Sequence, residues 1–176
     1  MYNNISINPA TGETIREYPS LSMDEIEGII DQSHDAWLQW RKVPYSERAR
    51  LMKNAGAVLR KNKERYAQIM TQEMGKPIAQ ARAEVEKSAL VCDFYAEKAE
   101  SFLAPKLIET DATKSFVTYN PIGIVLAIMP WNFPFWQVLR FAAPGLMAGN
   151  VGLLKHASNV PGSAIAIEEV FEEAGF

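Results

Sequence analysis

The sequence predicts an α/β fold in which helices surround a small parallel sheet, and three observations carry that prediction. Ile122 to Ile128 is an apolar run of strand length, rich in β-branched residues, that reads as a strand buried on both faces. Val151 to Lys155 reads as a second parallel strand, and a helical pattern from about Phe135 to Ala148 lies between them, so strand, helix and strand fit one parallel βαβ unit of about 35 residues. Upstream, Ile78, Ala81, Val85, Cys92, Tyr95 and Ala99 recur in threes and fours, as on a helix with one buried stripe.

The remaining elements follow in chain order. Ile5-Ser6-Ile7 and Thr14-Ile15 read as two short strands joined by a turn containing Pro9 and Gly12, an edge hairpin. Ser22 with Glu25 makes a capping box, after which Ile26, Ile30, Trp37 and Trp40 share a helical face until the chain nears Pro44. A second helix starts near Ser46 and runs through Met52, Ala55 and Leu59; a third carries Tyr66, Ile69 and Met70 and stops at Gly75-Lys76-Pro77. Lys114 to Tyr119 alternates like a half-exposed strand, broken by Asn120-Pro121. Pro144 is expected to kink the helix after the first buried strand or end it early, and Gly149-Asn150 to close the turn. Val160 to Ala174, with Pro161 in its first turn, is the last helix. These elements divide into a hairpin and helical segment over 1–112, a connecting strand over 113–121 and a βαβα unit over 122–176. Two strands leave a sheet edge and apolar surface that further units would cover, so the sequence reads as a portion of a longer α/β protein.

A net charge of −3 without a basic cluster argues against nucleic acid or a membrane surface as the partner. No stretch is long and apolar enough to span a bilayer, and Met1-Tyr2-Asn3-Asn4 does not open a basic-then-apolar leader, so a cytoplasmic location is the default expectation. The single cysteine, Cys92, excludes an intrachain disulfide and a thiolate zinc cage, and His34 and His156 lack the spacing of metal ligands. Cys92 falls in the apolar helical stripe and reads as core, because a nucleophilic thiol needs an accessible, activating environment.

Chemistry is expected at the turn after the first buried strand. Pro130 and Pro134 bracket Trp131 to Phe133, so the backbone is restricted and the carboxamide of Asn132 is presented beyond the strand's carboxyl end, where open α/β sheets bind ligands. Taken singly, Asn132 reads as a turn residue, Lys155 as a solvated lysine closing a strand and Arg140 as a surface arginine. Together they read differently. Pro130-Trp131-Asn132-Phe133-Pro134 after a Pro-Ile-Gly-containing strand, with Lys155 placed 23 positions beyond Asn132, resembles the NAD(P)-dependent aldehyde dehydrogenase superfamily over essentially the whole chain. The variant Lys155-His156-Ala157-Ser158-Asn159, with Phe135-Trp136-Gln137, is most similar to bacterial succinate-semialdehyde dehydrogenases.

The resemblance implies the amino-terminal part of such an enzyme: helices plus an incomplete Rossmann-like parallel sheet, with the nucleophilic cysteine and general-base glutamate outside the part that this chain resembles. It makes Asn132 the donor to the oxyanion. It places Ile128, Met129, Pro130, Trp131, Lys155, Ala157 and Ser158 against the cofactor, NAD or NADP. Ser158 stands where many relatives carry a ribose-binding glutamate; without that carboxylate a 2′-phosphate is not repelled, so NADP should be tolerated or preferred. Phe133, Gln137 and Arg140, spaced by four and three, would share a face lining the substrate tunnel if the helix begins near Phe133. Arg140 then suits a small carboxylate-bearing aldehyde, succinate semialdehyde above all. A homo-oligomer is implied, and neither nucleic acid nor membrane as a partner. The alternative reading is a non-catalytic cofactor-binding or subunit-assembly module.

Overall fold

A computed structural model describes residues 4–176. Met1 to Asn3, on which part of the expectation about the amino terminus rests, lie outside the described residues. The chain opens with an antiparallel hairpin, β1 (Asn4–Ile7) and β2 (Thr14–Tyr18), whose turn is closed by Gly12 donating to the carbonyl of Asn8. Four helices follow: α1 (Met23–Trp40), α2 (Tyr45–Lys61), α3 (Lys63–Met74) and α4 (Ile78–Phe102). The capping box at α1 forms as expected, with Ser22 accepting from the Glu25 N–H and Glu25 accepting from the Ser22 N–H. Helix α3 stops at Gly75, whose φ of 71° is the left-handed turn that a side chain disfavours.

Helix α4 is the axis of the core, packed against α2, α3 and α5 (Pro134–Met147). Its stripe, including Ala81, Val85, Ala89 and Cys92, meets Met52 and Leu59 of α2, Tyr66 and Met70 of α3 and Phe135 and Leu139 of α5. Each such large apolar side chain contributes about 1.5–3 kcal/mol on burial. Tyr66 and Phe135 stack with centroids 5.2 Å apart, which pins the first turn of α5 to α3.

The parallel pair is β5 (Ile124–Met129) and β6 (Val151–His156), with α5 as the crossover and α6 (Pro161–Ala174) after it. The expectation that the first strand is buried on both faces is corrected. Ala127 and Met129 turn toward the helical core, but Leu126 and Ile128 on the opposite face are 61% and 68% exposed. An apolar run shows only that a strand can be covered, and among the described residues nothing covers these two. Helix α5 does not end early at Pro144 but runs on to Met147. The strand expected over 114–119 is β4 (Ser115–Val117), but it is exposed rather than half-exposed, with only Ser115 half-buried, because among the described residues it pairs only with β3 (Lys106–Ile108), antiparallel, a strand of three residues too short to show a pattern.

Two polar side chains, the buried Arg48 and the half-buried Asn150, fix the geometry around β5. Arg48, whose pKa burial lowers, donates to the carbonyls of Trp40 and Arg41 at the end of α1 and of Met147 at the end of α5, matching a cation to two helix carboxyl termini. Gly149, at φ 89°, leaves room for that guanidinium, which an added Cβ would meet at 3.0 Å. Asn150 then accepts from the Ile122 and Gly123 N–H groups, tying the start of β5 to the turn before β6.

Candidate active site

The register of the parallel pair sets Ile128 beside Lys155 and Met129 beside His156, so both strands end level and their turns leave from one edge. One turn carries Pro130 to Phe133, the other Ala157 to Val160. Asn132, Lys155 and Ser158 are exposed at that edge, and the Asn132 carboxamide makes no hydrogen bond among the described residues, leaving its N–H groups available. Trp131 and Ile128 are exposed beside them, while Met129 and Ala157 are half-buried.

Side chains from other elements hold the first turn from below. Helix α5 has no cap of its own: its N-cap residue is Phe133, and Pro134 supplies no donor. Glu84 of α4 fills that role, its Oε1 accepting from the N–H of Phe135 at 2.9 Å and of Trp136 at 3.0 Å. Its Oε2 accepts from Lys76, and both side chains are almost wholly buried, at 1% and 5% exposure. The Lys76 ammonium also donates to the Asn132 carbonyl at 2.9 Å and lies 3.9 Å from the centroid of the Phe133 ring. All three ammonium donors thus have a destination. On the other side, His156 Nδ1 accepts from the Ala157 N–H at 2.8 Å, so Nε2 carries the proton and donates to the Pro134 carbonyl at 3.0 Å. Burial lowers the pKa of His156 and so favours this neutral form.

Gln137 and Arg140 occupy one face of α5 as expected, and Arg140 donates to the Gln137 side chain at 2.9 Å on an exposed surface. Phe133 precedes the helix, its ring directed at Lys76 and still partly exposed. Cys92 is elsewhere: it is fully buried in α4, and desolvation, with a smaller push from Asp93, raises its thiol to about 12, which disfavours the thiolate. Among the described residues no acidic, histidine and cysteine cluster can hold a metal. A groove of about 680 Å3, lined by residues such as Phe141, Leu154 and Ile167, contains none of the expected site residues.

Lys76, Glu84 and His156 were not recognised from the sequence as parts of this site. The legible signal was Glu84: it sits three residues after Ala81 within the buried stripe, and a carboxylate there requires donors.

Residues 3–176 match the aldehyde dehydrogenase family. The chain belongs to that family. It is 53% identical over 171 residues to a probable succinate-semialdehyde dehydrogenase (NADP+) of Synechocystis sp., and 48% identical over 173 residues to the succinate semialdehyde dehydrogenase (NAD(P)+) Sad of Escherichia coli strain K12. In both cases 97% of this chain is covered, and it spans 38% and 37% of those relatives' lengths. Among solved structures, the succinic semialdehyde dehydrogenase of Streptococcus pyogenes in complex with NADP+ superposes on the whole chain with a TM-score of 0.93 at 34% identity, over 38% of its own length. The α/β class and the family resemblance are thereby borne out.

Proposed function

We infer that this chain supplies the oxyanion donor and part of the cofactor face of an NAD(P)-dependent aldehyde dehydrogenase acting on succinate semialdehyde. The observation that carries the reading is the level ending of β5 and β6, which sets the Asn132 turn and the Lys155–Ser158 turn at one open edge. Attack of a thiolate on the aldehyde carbon moves charge to the carbonyl oxygen, and a carboxamide N–H held toward that oxygen lowers the barrier by about 3 kcal/mol. The thiolate is not Cys92. A bound nicotinamide dinucleotide would supply the hydride acceptor. The residues present suit it: the exposed Lys155 ammonium and Ser158 hydroxyl can donate to ribose or 2′-phosphate oxygens, and no carboxylate stands at Ser158 to oppose the phosphate. The NADP+ named for the relatives accords with that choice of cofactor.

Arg140 would receive the distal carboxylate of the substrate. Its present partner, Gln137, is a neutral acceptor, and exchange for a carboxylate strengthens the hydrogen bond. The test uses a chimera in which this chain replaces the matching segment of the Synechocystis sp. relative. We expect kcat/KM for succinate semialdehyde to exceed that for butanal by roughly 10⁴-fold, the scale on which a site built for a polar group rejects a ligand lacking it. Most of that preference should vanish in Arg140→Leu. Equal losses for both aldehydes would confine Arg140 to a structural role.

A further inference from the structure

We propose that the buried Lys76–Glu84 pair is a positioning element for Asn132, fixing the turn from which its carboxamide is presented. The proposal rests on the reading of Asn132 as the oxyanion donor. It comes from how the two ends of the pair are used. Glu84 holds the segment after the turn through the Phe135 and Trp136 N–H groups, whereas Lys76 holds the turn itself through the Asn132 carbonyl and the Phe133 ring. The Asn132 side chain, by contrast, has no partner among the described residues. What the fold holds at Asn132 is therefore its backbone, from which the carboxamide projects. A charged pair at 1% and 5% exposure is costly to desolvate, and a neutral pair of residues could fill the same space. What a neutral pair could not do is donate to a carbonyl, a carboxylate and a ring face from one atom.

Acting through Asn132 has a consequence that simple support of the fold does not share: the effects of the two residues cannot multiply. In the same chimera, Lys76→Met is expected to lower kcat by roughly 100-fold, as a misplacement of about 1 Å in a catalytic group does, with the KM for NADP near the parent value. Added to Asn132→Ala, Lys76→Met should lower kcat no further than about twofold. Because Lys76→Met leaves a lone buried carboxylate, Lys76→Met/Glu84→Gln is measured beside it. That variant keeps an acceptor for the two amides while removing both charges, and the same loss of kcat is expected. A normal kcat in the Lys76 variants, or losses that multiply with Asn132→Ala, overturns the proposal. A normal rate for Asn132→Ala alone would instead overturn the reading on which it rests. Should neither Lys76 variant fold, hydrogen exchange in the unsubstituted protein decides: the Phe135 and Trp136 amides should exchange as slowly as the core of α4, and exchange at the rate of exposed amides rejects the clamp.

Discussion

The amino termini of α5 and α6 meet the same need with different chemistry. Neither helix has a side-chain cap of its own, both carry proline in the first turn, and each is capped by a buried glutamate from another helix. At α6, Glu73 of α3 accepts from the N–H groups of Gly162 and Ser163 and from the hydroxyls of Ser163 and Ser6, and no cation pairs with it among the described residues. At α5, Glu84 accepts from two amides and from Lys76. Glu73 shows that a buried carboxylate can cap a helix here with neutral donors alone. The ammonium at α5 is thus not a requirement of capping, and its further contacts lie on the turn that presents Asn132.

The largest expected effect that could break this comparison is on stability. Glu84→Ala leaves the Phe135 and Trp136 amides unpaired and also strands a buried ammonium, so it should cost about 3–5 kcal/mol. Glu73→Ala strands no cation and should cost about 2 kcal/mol, the scale of unsatisfied buried donors. Urea denaturation of the two variants measures the difference, and equal losses would show that Lys76 adds nothing to the α5 end.

A smaller effect sharpens it. His156 anchors the Pro134 carbonyl at α5 and has no counterpart at α6 among the described residues. Its pKa is held below the ordinary 6.5 by burial, so the unfolded chain takes up the proton first as pH falls. Its contribution is therefore complete above pH 6.5 and is lost as pH falls from there through the depressed folded value. Protonation also removes the Nδ1 acceptor that holds the Ala157 N–H. Substituting Gln for His156 should flatten this part of the stability profile between pH 7 and 5; an unchanged slope would assign it to other groups.

Much of this arrangement was legible in the sequence, and the reason differs by element. Period and punctuation carried the helices: the Ser22–Glu25 box, the Gly75 stop, Pro161 in the first turn of α6 and the stripe containing Cys92 all appear where local chemistry places them. Local chemistry could not say what covers Leu126 and Ile128, because coverage depends on other elements. It also hid the supports of the site. Lys76 lies 56 positions from Asn132, and in sequence it looks like part of a helix stop. Glu73 and Glu84 each sit on a buried helical face, where a carboxylate interrupts the apolar pattern, and only the fold reveals which amides it serves.

The central claim is that the edge where β5 and β6 end presents Asn132 to a developing oxyanion, and the rate of Asn132→Ala in the chimera tests it most directly. The account predicts a kcat lower by roughly 100- to 1,000-fold, with the dissociation constant for NADP near that of the parent chimera, because one oxyanion donor is lost and the contacts of Lys155 and Ser158 are kept. A kcat close to that of the parent would contradict it.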